Sequence, residues 1–291
     1  MKKILSITFA IAALCVVSCK KGDDGADIDR SGFTVFGVDT EEIELVPGER
    51  VSELWKTGDR LSVFGTEQGN NVPYELKRSG AGKREAVFYG PVVKGDVLAA
   101  FPYQEGLALD GDKIPFTLPS WQGYDASAGN AAWFRSNCPS TLATSEANGS
   151  VLHFLYPAGL LAVQIRFDEP VYVTEMTLEA NRGISGRMLY GQDGAVTPSA
   201  VAAQQISQDL GGEAVPSLVD GNYSTFRFVL PPAEYAAGSL MLRVSTTEEN
   251  FSVSLPAMTV KRVAGSDFAV ASVQVGTSLI PVFTGENGYL E

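Results

Sequence analysis

The sequence predicts an all-β protein: a lipoprotein signal peptide followed by two tandem β-sandwich domains. Three observations carry this. Beyond the N-terminal leader no long segment places apolar residues at helical spacing. Short runs rich in Val, Phe, Tyr and Thr recur instead, bounded by Gly, Pro, Asn or Asp, as strands of a sandwich are. The chain also echoes itself faintly. Phe88-x-x-Pro91, Gly95 and Phe116-Thr117-Leu118-Pro119 are answered by Phe228-x-x-Pro231, Gly238 and Val253-Ser254-Leu255-Pro256.

In chain order, the leader comes first. Lys2 and Lys3 precede an apolar run over 4–17, broken only by Ser6 and Thr8. The run is shorter than the roughly 20 residues of a spanning helix and suits the core of a signal peptide. Val16-Val17-Ser18-Cys19 reads as a lipobox, so residues 1–18 would be removed and Cys19 would become an acylated N-terminus. One acyl chain holds a protein only marginally, whereas the several of a bacterial lipoprotein hold it firmly. Residues 19–30 are polar and acidic, with Asp23, Asp24, Asp27 and Asp29, as a flexible tether is. Acidic residues in this place also resemble a signal, used in one anaerobic Gram-negative lineage, for export to the outer face of the outer membrane. The expected location is therefore the outer membrane, lipid-anchored and exposed at the cell surface.

Composition bounds the rest. The formal charge is −12 and falls to −14 without Lys2 and Lys3, which disfavours nucleic acid and anionic lipid as partners. Cys138 is the only thiol left beside the lipidated one, so the exported chain must rely on a buried core and not on a disulfide. The length suffices for two domains, expected over 31–168 and 169–291 with a junction near Phe167-Asp168-Glu169-Pro170.

Strands are expected over 33–38, 60–64, 86–89, 97–103, 114–118 and 151–156. In the second half they are expected over 160–167, 172–178, 225–230, 240–245, 251–255 and 268–275. Asp110-Gly111-Asp112 and Asp220-Gly221-Asn222 mark turns between them. Residues 202–210, AAQQISQDL, suggest a short helix or an irregular loop. Trp55 is a large anchor entering a strand, Gly58-Asp59 makes a tight turn, and Leu61 and Val63 continue on one face.

No catalytic apparatus is expected. His153, the single histidine, lies in an alternating strand, and no G-x-S-x-G elbow is present to pair with it. Cys138, followed by Pro139, reads as a buried structural thiol. One histidine and one mature thiol do not make a zinc site, and the acids at 23–29 lack the closing glutamate of a calcium loop. The expectation is a non-enzyme without cofactor or metal. Trp121, Tyr124 and Trp133 fall in a stretch over 118–147 that reads as a long loop. They either contact a ligand or plug the end of the first sandwich.

Several segments together resemble the fimbrillin-like family, subunits of type V pili. Trp55-Lys56-Thr57-Gly58-Asp59-Arg60-Leu61-Ser62-Val63-Phe64 is similar to that family's W-x-x-G-D-x-[IL]-x-V-[FY] motif. Ala100-Phe101-Pro102-Tyr103, Phe116-Thr117-Leu118-Pro119-Ser120-Trp121-Gln122 and Leu152-His153-Phe154-Leu155-Tyr156 follow in the family's order. In the last, Tyr156 stands where the family often has histidine. The likeness covers the first domain well and the second only through general architecture.

The resemblance implies two transthyretin-like, Greek-key sandwiches and a role in assembly. A protease cutting after arginine would remove the first strand, and a neighbour's strand would fill the groove by β-strand addition. Arg30 precedes the first strand, so Arg50 is the expected processing site, its alternative being an ordinary loop arginine. The expected donor is the C-terminal tail, with Leu279, Ile280, Val282 and Phe283 filling pockets and Pro281 suiting an edge. Alternatively the tail completes its own domain. Expected partners are other fimbrial subunits, the outer membrane through the lipid, and a host or bacterial surface glycan or protein. The competing expectation is a standalone surface lipoprotein that binds glycan through Trp121, Tyr124 and Trp133.

Overall fold

The computed structural model describes residues 33–46, 49–124, 130–145, 149–167, 169–215, 223–264, 269–275 and 280–282. Cys19, the tether, Leu279 and Phe283 lie outside the described residues. Residues 33–291 form one compact unit.

The first half carries β1 (Phe33–Thr40), β2 (Glu42–Val46), β3 (Glu49–Ser52), β4 (Arg60–Gly65), β5 (Val72–Leu76), β6 (Ala86–Pro91), β7 (Val97–Phe101), β8 (Ile114–Leu118), helix α1 (Asn130–Asn137), β9 (Thr141–Ser145) and β10 (Val151–Phe154). The second carries β11 (Gly159–Phe167), β12 (Val171–Ala180), β13 (Gly186–Tyr190), β14 (Val196–Pro198), β15 (Gln205–Val215), β16 (Ser224–Leu230), β17 (Ala233–Tyr235), β18 (Leu240–Thr246), β19 (Asn250–Ser254), β20 (Met258–Val260), β21 (Ala269–Val275) and β22 (Ile280–Val282). The all-β sandwich expectation holds.

The two halves repeat one strand order. In the first, a seven-stranded sheet runs β10-β1-β6-β5-β4-β7-β9. In the second, β22-β21-β11-β16 and β15-β12-β18-β19 are separate sheets that together follow the same order. The opening strand of each half lies between an antiparallel partner and a parallel one: β1 between β6 and β10, β11 between β16 and β21. The first two members of the sequence echo sit on this repeat and the third does not. Phe116–Leu118 lie in β8, which pairs with β13, whereas Val253 and Ser254 lie in β19, the counterpart of β9. Phe88 opposes Phe36 and Phe228 opposes Leu161, while Gly95 and Gly238 both turn at positive φ, 83° and 75°. In the first half the sheet curls on itself, because Leu142 and Leu155 exchange backbone hydrogen bonds of 2.9 Å that join β9 to the end of β10.

Alternation along the strands sorts the side chains into three apolar layers. Phe36, Val38, Trp55, Leu61, Val63, Tyr74 and Phe88 fill the interior of the first half. Leu161, Val163, Ile165, Phe167 and the inner faces of β12 and β18 fill the second. Between them lies a third layer drawn from both halves: Ile43, Leu45 and Val51 from β2–β3, Phe134 from α1, Phe116 from β8, Met188 from β13, and Leu160 and Ala162 from the back of β11. β11 is thus buried on both faces. It precedes the expected junction at 168, yet its ladder partners are β16 and β21.

Two local expectations are corrected. Residues 202–204 are irregular, as one of the two expectations had it, but from Gln205 the segment is strand β15 and not helix or loop. Ile206 and Leu210 turn into the second core, and that burial overrides the helix-favouring Ala and Gln before them. The stretch over 118–147 is not all loop, since α1 lets Trp133 and Phe134 bury together in the shared layer.

A glutamine stitches the halves. β15 and β16 do not pair, and the segment after β8 enters the gap. Ser207 N–H donates to the Ser120 carbonyl and Gln122 N–H donates to the Ser207 carbonyl, at 2.8 and 2.9 Å. The fully buried Gln122 amide then accepts from Val229 N–H at 2.8 Å and donates to the Val229 carbonyl, as a neighbouring strand would.

Candidate functional site

The expectation of a released first strand falls on β1. β1 presents Phe36 and Val38 inward, 2% and 3% exposed, against Tyr74, Phe88 and Leu152. Its other face looks to solvent, with Val35 exposed. Lifting β1 out would leave a strand-shaped slot between β6 and β10, lined by two rows of backbone donors and acceptors and floored by one apolar core. The floor is rigid. The Trp55 ring meets Phe88, Phe101 and Phe154 edge-on at 4.9, 5.0 and 5.8 Å, and its indole N–H donates to the Arg84 carbonyl at 2.8 Å. The turn that follows is fixed by Gly58 at φ 92° and by the Asp59 carboxylate, which accepts from Lys56 N–H at 2.6 Å.

Charged groups clip the segment after β1. The Glu41 carboxylate takes an ion pair from Arg262 at 2.6 Å and a hydrogen bond from Tyr156 N–H at 3.4 Å. Burial nonetheless pushes its pKa above the ordinary carboxylate value, outweighing Arg262. Arg84 donates to the Thr40 carbonyl at 2.8 and 3.2 Å and approaches Glu42 at 3.4 Å. Glu42 in turn holds Arg50 at 3.1 Å. Arg50 lies in β3, paired with Glu44, where a turn was expected; its side chain is exposed.

The remaining candidates are scattered. Ile280 and Val282 lie in β22, which pairs with β21 of the same chain. Trp133 is 8% exposed, a core residue whose indole donates to the Gly123 carbonyl at 2.7 Å. Tyr124 is half-buried on Phe226, ring centres 5.6 Å apart, and burial raises its phenol pKa. Trp121 alone of the three is open, 55% exposed. The structure therefore does not bring these aromatics onto one face. An exposed aromatic the sequence reading missed is Tyr172; its place between Val171 and Val173 in an alternating strand was the available signal. His153 sits on the solvent side of β10 with its Nδ1 2.6 Å from Asp39, directly across the ladder on β1. Cys138 is buried and its thiol is pushed up to about 12 by desolvation.

No family model and no curated protein matches the chain. Solved structures do. A candidate cell-adhesion protein from Bacteroides ovatus superposes with a TM-score of 0.51 at 12% identity, over 89% of this chain and 99% of its own. One from Bacteroides uniformis gives 0.50 at 13% identity, over 89% of this chain and 100% of its own. One from Parabacteroides distasonis gives 0.51 at 10% identity, over 87% and 91%. At such identities the likeness is one of fold. The all-β sandwich chain implied by the fimbrillin-like resemblance is the fold this protein shares with those three candidate cell-adhesion proteins.

Proposed function

We propose that the protein is an adhesive subunit of a cell-surface fimbrium, made as a precursor lipidated at Cys19 and joined to its neighbours by β-strand addition. The observation that carries this is the position of β1: inside a sheet, flanked by β6 and β10, with one face buried and one exposed. A cut after Arg50 would free β1, β2 and the start of β3 together. The slot would then accept an extended segment with apolar residues at alternate positions. The tail over 279–283 is the proposed donor; to act, β22 must leave its short pairing with β21. We read the chain as two domains, in keeping with the repeated strand order, and propose their junction over 155–158, between β10 and β11, rather than near 168. No catalytic residue is assigned.

The test is limited digestion of the precursor with an arginine-specific protease, read by mass spectrometry and on an unheated detergent gel. One cut after Arg50 followed by a ladder of stable oligomers is expected. Resistance at Arg50, or Cys19 as the N-terminus of all surface-extracted protein, rejects the processing step. The standalone glycan-binding reading is favoured by one observation, the exposure of Trp121. Trp133, buried in the shared layer, does not contribute to it.

A further inference from the structure

We propose that the outer face of the β15-β12-β18-β19 sheet binds a neutral glycan chain, with Trp121 and Tyr172 stacking on sugar rings and the polar side chains between them bonding the hydroxyls. This deepens the adhesive reading by giving it a ligand class and a surface.

Among the described residues, the large exposed apolar side chains include two aromatics, Trp121 at 55% and Tyr172 at 56%. The ladder registers put both on one face. Trp121 bridges Ser207, Ser207 pairs with Thr177, Thr177 with Arg243, and Arg243 with Ser252, so these five side chains form one row across the sheet. The residues alternating with them, Ile206, Met176, Leu178, Leu242, Val244 and Val253, point into the second core, so the row points out. Tyr172 lies between the inward Val171 and Val173 and looks out on the same side. Strand spacing and rise place the two aromatics roughly 15–20 Å apart. The exposed Glu175 and Asp209 lie between them, and the Ser207 and Thr177 side chains, 6% and 8% exposed, lie beneath the surface.

The exposed groups suit sugar hydroxyls. Glu175 and Asp209 offer exposed carboxylate acceptors, and the exposed Gln205 amide lies on the same face, donating to the buried Ser207 hydroxyl at 3.0 Å. Carboxylates accept, and an amide both donates and accepts, which answers the donors and acceptors of a polyol. Tyr and Trp present a flat apolar body for the C–H face of a pyranose. The charges choose among glycans. Glu175, Glu179 and Asp209 share the face with Arg243, which is already held by Glu179 at 2.7 Å. The excess of acid repels sulfated and uronic polymers, and equally a second copy of the same face.

The test is affinity electrophoresis of the full-length lipoprotein in detergent, through gels containing mannan, dextran or xyloglucan, with heparin as the anionic counterpart. Retardation by at least one neutral polymer and not by heparin is expected. Trp121→Ala and Tyr172→Ala should each weaken it about tenfold. Trp121→Phe should keep most of it, and Leu54→Ala, an exposed apolar residue of the first half, should change nothing. Both alanine variants should melt as the parent does, since neither ring is buried. No retardation by any neutral polymer, retardation by heparin alone, or unchanged binding in both alanine variants overturns the proposal. None of these outcomes bears on cleavage at Arg50, so the two readings fail separately.

Discussion

Phe36→Ala separates a strand that stays from a strand that leaves. Phe36 is 2% exposed, sits 5.6 Å ring to ring from Tyr74, and opposes Phe88 across the ladder. Emptying such a site costs about 3–5 kcal/mol, because the apolar transfer term is joined by a cavity that the packed neighbours cannot fill. For a unit of this size each kcal/mol moves the melting temperature by about 2–4 °C. The precursor should therefore melt about 6–20 °C lower. The assembled, processed form should be unaffected, because under strand addition β1 has gone and a neighbour's side chain fills that position. Phe88→Ala is the control: β6 remains in both forms, so precursor and polymer should both lose stability. The assay is calorimetric melting of each variant before and after processing. A processed form weakened by Phe36→Ala as much as by Phe88→Ala would refute the release of β1. A precursor shifted by less than about 2 °C would refute the packing argument itself.

Three further outcomes are expected. Gln122→Leu strands the buried N–H and C=O of Val229, so it should cost about 2–6 kcal/mol at about 1–3 per orphaned group, read as a lowered urea midpoint. Glu41 holds its proton more tightly folded than unfolded, because burial outweighs Arg262, so its ionisation costs stability as pH rises above the unfolded value of 4.5. Relative to Glu41→Gln, the parent should be most stable at low pH and lose ground toward neutrality; melting curves showing the opposite trend would mean Arg262 dominates. Cys138, its thiol pushed up to about 12, should be ionised in roughly one molecule in 10,000 at pH 8. Iodoacetamide should then leave it intact in native protein and modify it fully in urea.

Much of this was legible locally, because alternation and breakers are local signals. Runs such as 114–118 and 225–230 carry β-branched and aromatic residues that favour a pleated, half-buried surface. The hairpin of β2 and β3 was overlooked although Glu42-Ile43-Glu44-Leu45 alternates; its strands are short and flank Pro47-Gly48, which reads as a turn alone. Other features depend on partners far along the chain. Nothing near Gln122 announces Val229, and nothing near β8 announces β13. The aromatics show the same limit: Trp121 and Trp133 share one stretch, and only the helix that carries Trp133 inward decides which of them meets water.

The repeated strand order also bears on why only one opening strand would be exchangeable. β1 and β11 hold equivalent places, each between an antiparallel and a parallel partner. β11 sends Leu161, Val163 and Ile165 into one core and Leu160 and Ala162 into another, so removing it would open two apolar layers at once. It is also tied to the chain at both ends. β1 closes a single core, shows solvent its other face, and leads into the rest of the sheet through β2 and β3. The clips that hold that joint are polar. Arg84 on Thr40 and Glu42 lies toward the surface, where water and salt weaken it more readily than they weaken packing. Arg262 on the more buried Glu41 is offset by the cost of burying that carboxylate. Were the backbone cut after Arg50, Phe36, Val38 and two ladders would be what keeps β1 in place. An incoming strand with apolar residues at the same alternation can match all of these, and that equivalence is the physical condition for exchange.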